Sequence, residues 1–423
     1  MNELLGHWQQ WLRPSAGIPL VQWSLVLALA AMAGHLLQRH VGLPKVVGYT
    51  VVGTLAGLAG FNGAPWPLQG TSLFLLELGL AVVLFEAGSR IPLRWFRHNP
   101  MVLVQSVMES GLTFFAVYGV LVWLRVDAAI AGPLALVALA ASPSVLTRVV
   151  ADTRAAGPVT ERAIVLATLS TLYALTLGSA HAELINRATL SVSQAVYPVL
   201  VVLGVSIAVA TGLALVLRAA LRVMSPSSEN TSMVLLTLVA AATAVSAHLG
   251  GSAPLGALLA ALLLKQLNPR PWAWPKQLGN ASALLTMLMF VMVSTVAAQA
   301  DWSLRVAGLV LALIVARLLA KGAGILLGNV GSGASWQQAL RVARALTPMS
   351  AVALLIASQF AAAAPEKGLL IAQIALPAIL LMEVAGAIIV MVAIYQAGES
   401  AMPWESLTKR GRSRAQKGHR HEP

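Results

Sequence analysis

The chain has 423 residues, of which 58% are hydrophobic and only 10% are charged, and its formal net charge is +13. This is more apolar side-chain surface than one soluble core of that length can bury, so the composition excludes a soluble globular protein and indicates a protein embedded in a bilayer. The absence of Cys excludes disulfides and Cys metal sites.

Runs of about 20 apolar residues, each long enough to cross a bilayer, recur along the chain. They predict an all-α membrane domain at 18–396, preceded by an interfacial segment at 1–17 and followed by a basic cytoplasmic tail at 397–423. Trp8 and Trp11 are expected to anchor the first segment at the membrane surface. The thirteen predicted spans lie at about 18–38, 45–61, 71–91, 101–124, 129–149, 160–180, 194–218, 231–249, 253–267, 279–299, 303–328, 339–362 and 368–396.

Lys and Arg are divided unequally between the two sets of loops that these spans define. With the C-terminus in the cytoplasm, most of the 28 Lys and Arg residues fall on the cytoplasmic side. The bias therefore predicts an outside N-terminus, in what we expect to be a bacterial inner membrane. Because it also accounts for the excess positive charge, no nucleic-acid partner is predicted.

Two patterns from the first half of the chain recur in the second. His40-Val41-Gly42 aligns with His248-Leu249-Gly250, and Ser142-Pro143-Ser144 aligns with Thr347-Pro348-Met349-Ser350. An odd number of crossings separates spans five and twelve, so the two run in opposite directions. The patterns predict inverted repeats at about 18–180 and 231–396, joined by a linker helix at about 194–218.

Pro143 and Pro348 are each expected to break their span, because proline lacks a backbone donor and disfavours helix at the preceding residue. Free backbone groups at membrane depth are tolerated only where protein or a water-filled cavity meets them. Two antiparallel broken helices would bring partial charges of both signs together, as in the ion sites of secondary transporters. Ordinary proline kinks are the alternative, and the matched placement in both repeats favours the ion site.

Five short motifs follow one another along the chain: Leu84-Phe85-Glu86-Ala87-Gly88, Ala141-Ser142-Pro143-Ser144, Ser252-Ala253-Pro254-Leu255-Gly256-Ala257, Arg317-Leu318-Leu319-Ala320-Lys321 and Met382-Glu383-Val384-Ala385-Gly386. In order and spacing they resemble the monovalent cation:proton antiporter-2 family of sodium/hydrogen exchanger-like membrane proteins. The resemblance implies a dimeric antiporter fold of thirteen helices. Spans four to six and eleven to thirteen would form a core that moves against a scaffold of spans one to three and eight to ten. It also implies exchange of Na⁺ or K⁺ for protons by alternating access.

Span six departs from the pattern of these antiporters. The family carries one or two acidic residues there, which bind the cation and protons in turn, whereas this chain has Ser170 and Thr171. Hydroxyl groups can ligate a cation but do not titrate near neutral pH, so the coupling of transport to protons is in question. The predicted ion or substrate site consists of Ser142, Pro143, Ser144, Ser170, Thr171, Thr347, Pro348 and Ser350.

Other charged residues lie within the predicted spans. Glu86 is expected to pair with Arg90, four residues later on the same helix, and Glu77 is expected to be a packed side chain of the scaffold. The predicted charge-balancing or coupling residues are Arg317, Lys321, Glu109 and Glu383. Either of these acids could pair with either cation, and Glu109 is the candidate for a relocated proton site. With no acid in span six, Lys321 should leave the core more positive unless it serves to bind helix-end carbonyls.

Two other functions remain open on the same fold. An anion or small organic acid could be held by Lys321 and helix amino ends, or the protein could be a transport-inactive sensor or assembly partner. His35, His40 and His248 are too scattered for a metal site, and no catalytic motif stands out, so an enzyme, a cofactor and a bound metal are not predicted. The expected partners are a monovalent cation, protons, the lipid bilayer and a second copy of the chain.

Overall fold

A computed structural model describes residues 20–61, 63–91, 93–185, 192–225, 228–268, 276–300, 303–349 and 351–401. Every regular element in this part of the chain is an α-helix. The predicted interfacial segment with Trp8 and Trp11, and nearly all of the basic tail, lie outside the described residues. The helices are α1 (Leu20–His40), α2 (Lys45–Leu58), α3 (Gly70–Ser89), α4 (Leu93–His98), α5 (Met101–Trp123), α6 (Ala128–Leu139), α7 (Pro143–Thr153), α8 (Pro158–Ala182), α9 (Val192–Val223), α10 (Glu229–His248), α11 (Ala253–Leu267), α12 (Lys276–Ala297), α13 (Leu304–Leu327), α14 (Trp336–Ala345), α15 (Ala351–Ala363) and α16 (Pro365–Ala397).

Each predicted span coincides within a few residues with one helix or, for spans five and twelve, with two successive helices. Within the described residues, ten segments are long and apolar enough to cross a bilayer. The predicted spans at 45–61, 253–267 and 339–362 instead contain the shorter apolar helices α2, α11 and α15. Helix α11 coincides with its predicted span, whereas the residues of the other two spans outside α2 and α15 lie in a turn, in the helix break or in α14.

Spans five and twelve are broken at Pro143 and Pro348, as the sequence predicts, whereas Pro133, Pro198 and Pro377 lie inside continuous helices. Helix α6 ends at Leu139 and α7 begins at Pro143, while α14 ends at Ala345 and α15 begins at Ala351. Pro143 occupies the first turn of α7, where the absence of an N–H costs no helical hydrogen bond. The Ser142 hydroxyl caps that helix by accepting a hydrogen bond from the backbone N–H of Val145.

The two copies of the His-x-Gly motif have the same backbone geometry. His40 ends α1 and His248 ends α10, and both side chains are exposed. Gly42 and Gly250 follow with φ angles of 79° and 76°. This left-handed conformation terminates a helix and strains any residue with a Cβ atom. The repeat seen in the sequence is therefore also a repeat of local structure.

Hydrogen bonds between chain segments define the two faces of the bundle. One face, here called the basic face, joins Lys45 to Asp152, Ala156 to Glu399 and Arg162 to Ser332. The opposite face joins Leu68 to Ser358 and Ile185 to Lys367. Helix α5 packs against α13, α3 against α11 and α2 against α12. These pairs fall within the two helix groups, core and scaffold, that the family resemblance implies.

Glu399 ties the end of α16 to the start of α8 on the basic face. One carboxylate oxygen accepts a hydrogen bond from the N–H of Val159 at 2.8 Å, and the other accepts from the N–H and hydroxyl of Thr160 at 2.7 and 2.6 Å. These N–H groups have no partner within their own helix, and a carboxylate also complements the helix dipole. One side chain therefore holds together the ends of two helices that are distant in sequence.

Glu399→Gln should lower the thermal unfolding midpoint, with a loss of about 1–2 kcal/mol, because a neutral amide offers one acceptor oxygen in place of two charged ones. The measurement is thermal unfolding of the detergent-solubilised protein. Glu366→Gln is the matched control, since Glu366 is an exposed acid in the first turn of α16. Equal midpoints for the two variants would contradict a clamping role for Glu399.

Candidate functional site

Arg317 of α13 joins the two helix breaks. Its side chain is fully buried, and its Nε and Nη2 atoms donate to the carbonyls of Ala138 and Ala140 at 2.8 and 3.0 Å. Its Nη1 and Nη2 atoms donate to the carbonyls of Thr347 and Pro348 at 2.6 and 3.1 Å. Carbonyls at a helix end lack partners in their own helix and carry partial negative charge. One guanidinium thus donates hydrogen bonds to backbone carbonyls at both breaks, at the ends of α6 and of α14.

Lys321 lies one turn after Arg317 and is paired with an acid. Its Nζ atom donates to the carbonyl of Leu139 at 3.0 Å and forms an ion pair with Glu109 of α5. Both charged side chains are buried, and the second oxygen of Glu109 accepts from the Ser110 hydroxyl at 2.9 Å. The expected excess of positive charge at Lys321 is not found, because Glu109 reaches it from the neighbouring helix.

Two glycines, Gly324 of α13 and Gly328 directly after it, allow this approach of α5. A Cβ atom on Gly324 would lie 2.4 Å from Cα of Glu109, and one on Gly328 would lie 2.6 Å from Cα of Gln105. Small residues four positions apart let membrane helices pack backbone to backbone. Neither glycine is part of the site predicted from the sequence. Their spacing, beginning one turn after Lys321, is the signal that could have identified α5 as its partner.

Gly324→Ala should destabilise the protein by about 1–3 kcal/mol, because the added methyl group meets backbone atoms of α5 and forces the helices apart. The Glu109–Lys321 ion pair would be stretched as a result. The control is Gly322→Ala on the same helix, where a Cβ atom meets no neighbouring atom within 4 Å. Thermal unfolding in detergent compares the two, and a Gly324→Ala variant as stable as its control would refute the close packing.

Several predicted hydroxyl groups surround the first break. The hydroxyl oxygens of Ser142 and Ser144 lie 3.0 Å apart. Thr171 of α8 donates to the carbonyl of Ala141 at 3.3 Å and also to that of Ala167 at 2.8 Å. Ser170 bonds only back to its own helix in the hydrogen bonds we observe, donating to the Ala167 carbonyl at 3.2 Å. Thr171 therefore reaches the break directly.

At the second break one polar side-chain group lacks a hydrogen bond. The buried hydroxyl of Thr347 has no hydrogen-bond partner among the described residues. Ser350, predicted as part of this site, lies outside them. Glu383 is fully buried on α16, one turn before Gly386, and a Cβ atom on Gly386 would lie 2.6 Å from Cα of Pro348. Glu109 is thus bonded into the first break, while Glu383 lies on a helix that packs against the second.

The remaining acids within spans have other surroundings. Glu86 forms an ion pair with Arg90 at 2.7 Å, as predicted, and also accepts a hydrogen bond from Ser282 at 3.1 Å. Glu77 is buried on α3, which carries neither break. Glu109, by contrast, forms an ion pair with Lys321, which in turn binds the Leu139 carbonyl at the first break. The hydroxyl and carbonyl oxygens around the breaks are of the types that bind hard cations.

The chain matches the family described as the transmembrane sodium/hydrogen exchanger over residues 25–395. A search of curated protein sequences gave no significant match. Similar solved structures include two of the sodium proton antiporter MjNhaP1 from Methanocaldococcus jannaschii. The structure at pH 8 is 14% identical with a TM-score of 0.65, covering 89% of this chain and 96% of that one. An electron-microscopy structure is 16% identical with a TM-score of 0.69, covering 92% and 100%. At these identities the likeness shows a common fold.

Proposed function

The chain belongs to the transmembrane sodium/hydrogen exchanger family, and from this premise we propose that it exchanges a monovalent cation, Na⁺ or K⁺, for protons by alternating access. The ten apolar segments among the described residues that are long enough to cross a bilayer, together with its family, make it a multi-pass membrane protein. The observation that carries the proposal is the buried Glu109–Lys321 ion pair, bonded through the Leu139 carbonyl to the first helix break. This pair supplies a titratable group that span six lacks.

The proposed cation site lies between the breaks. Hydroxyl oxygens of Ser142, Ser144 and Thr171 border the first break. The hydroxyl of Thr347, which has no hydrogen-bond partner within the described part of the chain, borders the second. Hydroxyl and carbonyl oxygens are ligands for hard cations. Pro143 and Pro348 contribute by shaping the breaks that expose carbonyls. Arg317 positions those carbonyls and is a positioning residue rather than a ligand.

Glu109 and Lys321 would couple the cation to protons through their net charge. While the pair holds one proton on Lys321, its net charge is zero and a nearby cation gains nothing from it. Loss of that proton leaves the single negative charge of Glu109, which a cation in the low-dielectric core can balance. Cation and proton would then exclude one another at the site, which is the condition for exchange. Glu383 would adjust the charge balance at the second break.

Alternating access requires the core to move against the scaffold, and one contact between them lies on the basic face. The backbone N–H of Lys45, at the start of α2, donates to the Asp152 carboxylate of α7 at 3.2 Å, and its Nζ atom lies 3.7 Å from the other oxygen. This link would have to open when that face opens. We assign the basic face to the cytoplasm from its Lys and Arg content, and propose a homodimer in a bacterial inner membrane.

The test uses membrane vesicles that contain the protein and have an acidified lumen. A pH-sensitive dye reports the lumen as Na⁺, K⁺ or Li⁺ is added, with choline as the control cation. We expect proton release with at least one alkali cation and none with choline. The proposal fails if folded, inserted protein responds to no alkali cation. A flux that follows anions and persists in choline would point to an anion transporter, although the pairing of Lys321 with Glu109 removes the free positive charge on which that alternative depends.

A further inference from the structure

A cavity of about 620 Å³ lies between α5, α6, α8 and α9, apart from the proposed cation site. Its walls are mainly apolar and include Phe114, Leu136, Leu177 and Val199. Its volume is within the range of pockets that hold small organic molecules. No Asp, Glu, Lys or Arg is among the described residues that line it. The chemistry of its walls therefore matches an uncharged, apolar occupant rather than an ion.

The rim of the cavity lies on the part of the surface that faces lipid. Phe115 and Val107, on the middle of α5, line it and are 70% and 60% exposed. Tyr197 and Leu200, which flank Val199 on α9, are also exposed. Large apolar side chains exposed near the middle of a membrane-spanning helix are in contact with acyl chains. Beside α5 the cavity thus opens sideways at hydrocarbon depth, where acyl chains are the available occupant, whereas Tyr197 and Leu200 lie in the first third of α9.

The inner end of the cavity lies directly behind the buried ion pair. Ser110, which lines it, donates to Glu109, and Leu139, which also lines it, provides the carbonyl that accepts from Lys321. Water at this end would compete for these groups and raise the local dielectric constant, which weakens an ion pair. An apolar occupant would keep the pair dry without changing its charge.

We propose that this cavity binds one acyl chain of a membrane lipid, which enters between α5 and α9 and shields the Glu109–Lys321 pair from water. The Tyr173 hydroxyl, also in the cavity wall, already accepts a hydrogen bond from Ser106 at 3.2 Å. His181, which lines the cavity near the end of α8, lies towards the opposite face of the bundle. The site is independent of which ion the protein transports.

The test is photolabelling of the full chain in vesicles made with a phospholipid whose acyl chain ends in a diazirine, followed by peptide mapping. Leu136 and Leu139 are only 6% and 2% exposed, so a label on them must come from a chain inside the cavity. Gly111→Trp should fill the cavity and remove most of this label. Gly119→Trp is the matched control, because both glycines lie on α5 with open space around them and only Gly111 lines the cavity.

Val199→Trp fills the cavity from the opposite wall and serves if Gly111→Trp does not fold. In wild type and Gly119→Trp we expect label on Leu136 and Leu139, and in the filling variants we expect its loss with lipid-facing label retained. Folded wild-type protein without label at these two leucines would overturn the proposal, as would label that persists in the filling variants. Because labelling does not depend on transport, its outcome is separate from that of the cation-exchange test.

Discussion

Glu109→Gln should abolish cation-dependent proton flux and lower the free energy of unfolding by about 3–5 kcal/mol. The amide has nearly the shape of the carboxylate and can still accept a hydrogen bond from Ser110. It carries no charge, however, so Lys321 would remain as a buried cation without its counter-charge. Flux should be lost because the core would no longer acquire a negative charge when a proton leaves. Vesicle flux and thermal unfolding in detergent measure the two effects.

The matched control is Glu86→Gln, which removes the acid of a partly exposed ion pair on α3. It should change stability by no more than about 1 kcal/mol and should leave flux intact. A second comparison separates folding from coupling. The double variant Glu109→Gln, Lys321→Met removes both charges and should be more stable than Glu109→Gln alone. Removing one partner leaves an unpaired buried charge, which costs more than replacing both partners by uncharged side chains. Flux should stay absent. Cation-dependent proton flux in a folded Glu109→Gln variant would refute the proposed coupling.

The sequence predicted the helix breaks because proline occurs at matching places in the two repeats. Pro143 and Pro348 each remove a donor and disfavour helix at the preceding residue, but Pro133, Pro198 and Pro377 lie inside helices, so proline alone would not have identified the breaks. The left-handed Gly42 and Gly250 mark helix ends for a local reason. The order of apolar runs located the spans, since membrane thickness sets their length.

The pairing of charges could not be predicted because it depends on how helices are rotated and spaced. Glu109 and Lys321 are far apart in sequence. From the sequence alone, either Glu109 or Glu383 could have paired with either Arg317 or Lys321. The close approach at Gly324 selects Glu109 by bringing the backbone of α5 against α13. The carbonyls that Arg317 binds were likewise unpredictable, because each side chain in a broken helix can face several directions. The positions of the spans and of the helix breaks could thus be predicted from the sequence, whereas the contacts between side chains of different helices could not.

Arg317→Lys should also abolish transport and should cost at least about 3 kcal/mol of stability. A guanidinium presents donors in a planar fork, whereas an ammonium group is one point from which donors diverge. Lysine could not reach the carbonyls on both breaks at once, and each lost hydrogen bond to a charged group costs roughly 1.5–3 kcal/mol. These losses do not add fully because the loops can relax. Thermal unfolding and vesicle flux are the measurements.

Arg305→Lys on the same helix is the matched control, because Arg305 is exposed in the first turn of α13 and its replacement should leave both properties unchanged. The charge is conserved in both variants, so a difference between them reports the geometry of the fork rather than electrostatics. If Arg317 holds the breaks together, its replacement should loosen α6 and α14 in concert, and amide hydrogen exchange should rise around Ala140 and Pro348 alike. Faster exchange at one break alone would show that the two are held independently, and the bridging role of Arg317 would be wrong.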